Sequence, residues 1–106
     1  MDLKKYQKDV DKWTGQFEVQ YWTPHEMLAS LAEEMGELAR EINFKYGPKI
    51  KKKDEKDNSI GSEIADIIFT LTCLCNSEKI DLSKYLKKTI DERCKRDNNR
   101  FKKKTL

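Results

Sequence analysis

The strongest constraint in this sequence is a long helix whose two ends are both written out. Thr23-Pro24-His25-Glu26 supplies an N-cap hydroxyl, a proline at the first helical position and a carboxylate three residues after the cap. In such a capping box the hydroxyl and the carboxylate each satisfy an amide that the helix leaves without a partner. Gly47-Pro48 then stops the run, so the spacing predicts one helix over 24–46. Leu28, Leu31, Met35, Leu38 and Ile42 recur along it at steps of three and four, the period of an amphipathic helix. A helix of that length must bury its stripe against other elements, and the rest of the chain offers helices.

Leu3, Tyr6, Val10, Trp13 and Phe17 have the same period before it, with Gly15 loosening the end of that helix. Asn58 or Ser59 caps a third helix running to about Asn76, whose apolar face is Ile60, Ile64, Ile67, Ile68, Leu71 and Leu74. Asp81 caps a fourth, with Leu82, Tyr85, Leu86 and Ile90 on its inner face, ending near Asp97-Asn98-Asn99. Residues 47–58 are mostly charged and without periodicity, which reads as a flexible connection, and 102–106 as a frayed basic tail. Neither repeats nor a domain boundary are visible. The reading is one all-α domain over 1–106, a bundle of four to five helices.

Composition decides how such a bundle closes. Of 106 residues, 37% are hydrophobic and 39% charged, against about 45–50% and about 25% in ordinary domains. So thin a core is expected to be completed by oligomerisation. The run from Ile67 to Cys75 includes Thr70 and Thr72 and falls well short of the roughly 18 apolar residues of a membrane span. Met1-Asp2-Leu3-Lys4-Lys5 lacks an apolar signal core, which points to the cytoplasm. Cysteine usage agrees, since Cys73, Cys75 and Cys94 are an odd set and are expected as buried free thiols. The net charge of +3 is mild. Lysines at 49–53 and 102–104 suit a phosphate-bearing partner, or simply a solvated loop and tail.

The chemistry-bearing pattern lies on the second and third helices. Glu34 and Glu37 sit one above the other at the border of the first apolar stripe, and Glu63 and Asp66 repeat the arrangement on the next helix. Packed side by side, the two helices bring four carboxylates together, which repel unless protonated or neutralised. A hard cation relieves this, and oxygen-only ligation suits Mg²⁺ or Mn²⁺ with positions left for water and phosphate. A di-iron bundle would need Glu-x-x-His, and His25 lies outside both pairs. The competing reading makes the acids surface partners, Glu37 with Arg40 and Glu41 with Lys45.

Glu33-Glu34-Met35-Gly36-Glu37 followed by Glu63-Ile64-Ala65-Asp66 resembles the E-E-x-x-E … E-x-x-D signature of the MazG-like nucleotide pyrophosphohydrolases, in the all-α NTP pyrophosphatase superfamily. Tyr21-Trp22-Thr23-Pro24 and Asp66-Ile67-Ile68-Phe69 are similar to the short single-domain members, and the likeness covers residues 3–101. The resemblance implies Mg²⁺-dependent hydrolysis of a nucleoside triphosphate to monophosphate and pyrophosphate, in nucleotide-pool house-cleaning. It implies Glu34, Glu37, Glu63 and Asp66 as metal ligands and Glu33 as an acid that orients water or supports the ligands from behind. Lys95, Arg96, Asn99 and Arg100 are then candidates for the phosphates. Trp22, His25 and Phe44 are candidates for the base, and Thr70 and Cys73 for the pocket wall. A homodimer or homotetramer is also implied. The alternatives are a phosphoribosyl-ATP pyrophosphohydrolase, or a helical module without enzymatic activity whose lysines contact nucleic acid. Nucleic acid is the less favoured partner.

Overall fold

A computed structural model describes residues 1–55 and 58–105. Four helices make up the regular structure, with no strand among the described residues: α1 (Leu3–Thr14), α2 (Pro24–Tyr46), α3 (Ile60–Ser77) and α4 (Leu82–Asp97). Each begins on a side-chain cap. Asp2 accepts from the Lys5 amide and Asp81 from that of Lys84, while Thr23 with Glu26 and Ser59 with Ser62 form reciprocal capping boxes. The predicted bounds of α2 hold at both ends. The first helix stops earlier than the spacing implied, at Thr14, because Gly15 takes the C-cap and the chain leaves the helix before Phe17.

The main packing unit is the α2–α3 pair; α1 lies across α3, and α4 rests on α1. Polar groups hold the second junction. Gln7 donates to Asn76 Oδ1 at 3.0 Å and to the Ile80 carbonyl at 2.9 Å, and its Oε1 accepts from the Leu82 amide at 2.9 Å. Asn76 in turn donates to the Gln7 carbonyl and to the Tyr21 hydroxyl, both at 3.0 Å. One glutamine thus ties α1 to the end of α3 and the start of α4. Among the described residues, Val10 and Met27 are the buried apolar side chains.

The apolar stripes are partly covered, with Leu31 and Leu38 on α2 and Ile60, Ile67 and Leu74 on α3 half-buried. In the protomer Leu28, Met35 and Ile42 on α2 and Ile64, Ile68 and Leu71 on α3 remain exposed, while Glu41 and Glu63 are buried. On α4, Tyr85, Leu86 and Ile90 are likewise exposed and do not form an inner face. Cys73 and Cys75 are half-buried and Cys94 is exposed, so the thiols are free as expected but not all inside.

The connection between α2 and α3 is fastened where it is described. Lys51 Nζ lies 2.7 Å from Glu41 and Arg40 Nη2 lies 2.8 Å from Glu55, and Phe44 has Arg40, Lys49 and Lys51 around its ring. Lys56 and Asp57 of that connection, and Leu106 of the basic tail, lie outside the described residues.

A carboxylate cluster beside an aromatic cleft

Glu37 on α2 and Glu63 and Asp66 on α3 each bring one oxygen into a group whose members lie within 4.8 Å of one another. Glu63 is 2% exposed, and its Oε2 has no hydrogen-bond partner. Burial above all holds its carboxyl above the ordinary range, helped by a hydrogen bond with Glu37 and by the charges of Glu37, Asp66 and Glu41. A buried carboxylate in that position is stable only when protonated or matched by positive charge. One turn along α2, Glu41 has its match in Lys51, whereas none of the three clustered acids pairs with a described cation. The donor set is oxygen only, so the residues fit a hard divalent cation such as Mg²⁺ or Mn²⁺.

The surface pairs that the spacing also allowed do not form. Arg40 reaches Glu55 rather than Glu37, and Glu41 takes Lys51 rather than Lys45. Glu34 lies outside the three-acid group; its Oε1 accepts from Thr70 at 2.7 Å across the helix pair and from Ser30 at 3.4 Å. Glu33 is exposed on α2.

Next to Glu34 a cleft of about 560 Å³ opens between α1, the segment after it, and the α2–α3 pair. Trp13, Phe17 and Phe69 form its wall, with Trp13 edge-on to Phe17 at 5.1 Å and to Phe69 at 6.2 Å between centroids. Tyr21 and Trp22 line the side, and Ser30, Thr70 and Cys73 also face the space. Burial, and then the nearby charge of Glu34, push the Cys73 thiol up, so it is a neutral wall group. The volume and the aromatic lining are those of a small-molecule site.

Of the residues singled out from sequence, Trp22, Thr70 and Cys73 line this cleft. Phe44 stands two turns beyond Glu37, over the basic connection. His25 is exposed in the first turn of α2. Arg96 and Arg100 bracket Asp97, at 2.9 Å and 3.3 Å, and hold its carboxyl below the usual range. Lys95 borders a shallow lysine-rich groove on α4, and Asn99 is exposed. None of these basic residues contributes to the cleft lining. Trp13, Phe17, Tyr21 and Phe69 do, although periodicity assigned the first two to an ordinary helix face. For Trp13, Phe17 and Tyr21 the available signal was their density just before the Trp22-Thr23-Pro24 helix start.

Residues 22–101 match the MazG nucleotide pyrophosphohydrolase domain. The uncharacterized protein YpjD of Bacillus subtilis is 43% identical over 102 residues, spanning 96% of this chain and 92% of YpjD. The crystal structure of YpjD superposes with a TM-score of 0.77 over 87% of this chain and 94% of that one. A second solved structure is that of the Bacillus-conserved MazG protein, described as a nucleotide pyrophosphohydrolase. It matches at 39% identity and a TM-score of 0.75, covering 87% of this chain and 88% of its own.

Proposed function

The chain belongs to the MazG nucleotide pyrophosphohydrolase family, and from that membership we propose that it hydrolyses nucleoside or deoxynucleoside triphosphates to monophosphate and pyrophosphate with Mg²⁺. The observation that carries this reading is the buried, unpartnered Oε2 of Glu63 inside a group of three converging carboxylates. Glu37, Glu63 and Asp66 would hold the ion. Glu34 adds a fourth carboxylate, its Oε1 committed to Thr70 and Ser30 and its Oε2 left for the cation. Mg²⁺ bound there supplies charge neutralisation of the triphosphate and an acidified water as nucleophile.

The remaining work falls to side chains of the chain itself. Glu33, exposed one residue before Glu34, would orient water or support the ligands. The aromatic cleft takes the base by stacking, which sets the phosphates toward the acids. Lys95, Arg96, Asn99 and Arg100 are the reserve of phosphate-binding groups; Arg96 and Arg100 would exchange Asp97 for substrate oxygens. The exposed stripes on α2 and α3 are read as the face on which a second copy packs, giving a homodimer or a tetramer built from it. The role fits nucleotide-pool house-cleaning, and Mn²⁺ is the expected substitute metal.

The test is pyrophosphate release from a panel of NTPs and dNTPs with Mg²⁺, wild type against Glu37→Ala. Release by the wild type and a loss of about a hundredfold or more in the variant is the expected result. Absence of release together with absence of a metal-induced rise in melting temperature would overturn the enzyme reading.

A further inference from the structure

Several polar groups of the aromatic cleft spend their protons on other protein groups, the Cys73 thiol and the two indoles apart. Thr70 and Ser30 both donate to Glu34 Oε1, at 2.7 Å and 3.4 Å. A hydroxyl has one donor and two acceptor sites, so each can only accept from a ligand. The Gln20 amide nitrogen is engaged with the Asp11 carbonyl at 3.1 Å, Asp11 Oδ1 at 3.0 Å and Thr14 at 3.4 Å, leaving its oxygen. Tyr21 donates to Asp11 Oδ1 at 2.6 Å and accepts from Asn76. The indole N–H groups of Trp13 and Trp22 belong to rings more than half exposed, where water competes for them.

Resting on the nucleotide reading of the site, we propose that this cleft selects bases carrying an exocyclic amino group where Ser30 and Thr70 meet, and discriminates against the corresponding keto bases. An amino group brings two N–H donors to two neighbouring acceptor oxygens. A keto base brings a carbonyl oxygen to the same place, acceptor against acceptor. Its ring N–H beside that carbonyl offers a single proton. An unmatched buried acceptor is costly enough to separate such partners by about tenfold or more. Thr70 does two things in this arrangement. It presents its lone pairs to the base, and through its proton it holds Glu34.

The test compares matched pairs that differ at one position of the ring, dCTP with dUTP and dATP with dITP. The value read is the ratio of kcat/KM within each pair, in the wild type, Thr70→Val and Thr70→Ser. The expected result is an amino preference of about tenfold or more in the wild type, retained in Thr70→Ser and reduced to about twofold or less in Thr70→Val. Equal use of both members by the wild type, a keto preference, or an unchanged ratio in Thr70→Val would overturn it. Quenching of Trp13 and Trp22 fluorescence by CMP, UMP, AMP and IMP without metal separates this from failure of the activity. Stronger quenching by the amino members with no hydrolysis of any triphosphate would sink the enzyme and keep the selectivity. Hydrolysis without amino preference would do the reverse, and neither signal would remove both.

Discussion

Glu63 concentrates the chemistry of the molecule in one side chain. Its folded-state carboxyl titrates above the ordinary value, chiefly through burial, so folding disfavours its ionised form. For a group shifted this way the stability contribution is fully present below the unfolded-state value and is lost as pH rises through the folded one. Glu63→Gln keeps the shape and deletes the charge. It is expected to raise the melting temperature of the metal-free protein at pH above the ordinary carboxylate range, to flatten its fall as pH rises out of that range, and to abolish stabilisation by Mg²⁺. Calorimetry with and without the ion reads all three. A variant less stable than wild type at neutral pH would show that the acid is neutralised in some other way. The acids themselves were legible from the sequence, because the three-residue spacing on two helices can be read directly. Their unequal fates were not. Glu41 pairs with Lys51 across the connection and Glu34 with Thr70 across the helix pair, and no local rule encodes partners so far apart in sequence.

At the scale of the element, caps and stops fixed the helices, and tertiary hydrogen bonds fixed how they sit. The capping box at Thr23-Glu26 and the stop at Gly47 both stand where the residues implied. The rotation of α2 and α3 could not be deduced from their stripes, since periodicity marks an apolar face without saying what covers it. Nor did Gln7, a polar residue on an amphipathic helix, announce that it would be buried. It joins three elements by its side chain alone. Gln7→Ala would strand the Leu82 amide and leave Asn76 short of a partner, at a cost of about 1–3 kcal/mol. The loss should be localised: amide exchange is expected to accelerate in α4 and at the end of α3 before it does in α2. Uniform acceleration across all four helices would mean that Gln7 acts on global stability only.

The whole molecule is wider than a chain of this length needs to be. Its radius of gyration is 17.8 Å, against about 13 Å for a closed domain of roughly 100 residues. The excess goes with the large apolar side chains left exposed on α2, α3 and α4. If α2 and α3 meet a second copy through Met35 and Ile68, two large side chains on their exposed stripes, charges there should separate the copies. Met35→Glu combined with Ile68→Glu is expected to shift sedimentation to the monomer and to lower the melting temperature. An unchanged sedimentation coefficient would move the contact to another face, of which exposed Tyr85, Leu86 and Ile90 on α4 are the next apolar choice.

The exposed stripes also set a clock. Helices built from local contacts form within microseconds, so α2 and α3 are complete long before two chains in dilute solution find each other. During that interval the stripes lie open to any other apolar surface. If a second copy covers them, completion of the fold becomes a second-order event, timed by how many copies share the volume, and newly made chains meet a contest between correct pairing and aggregation.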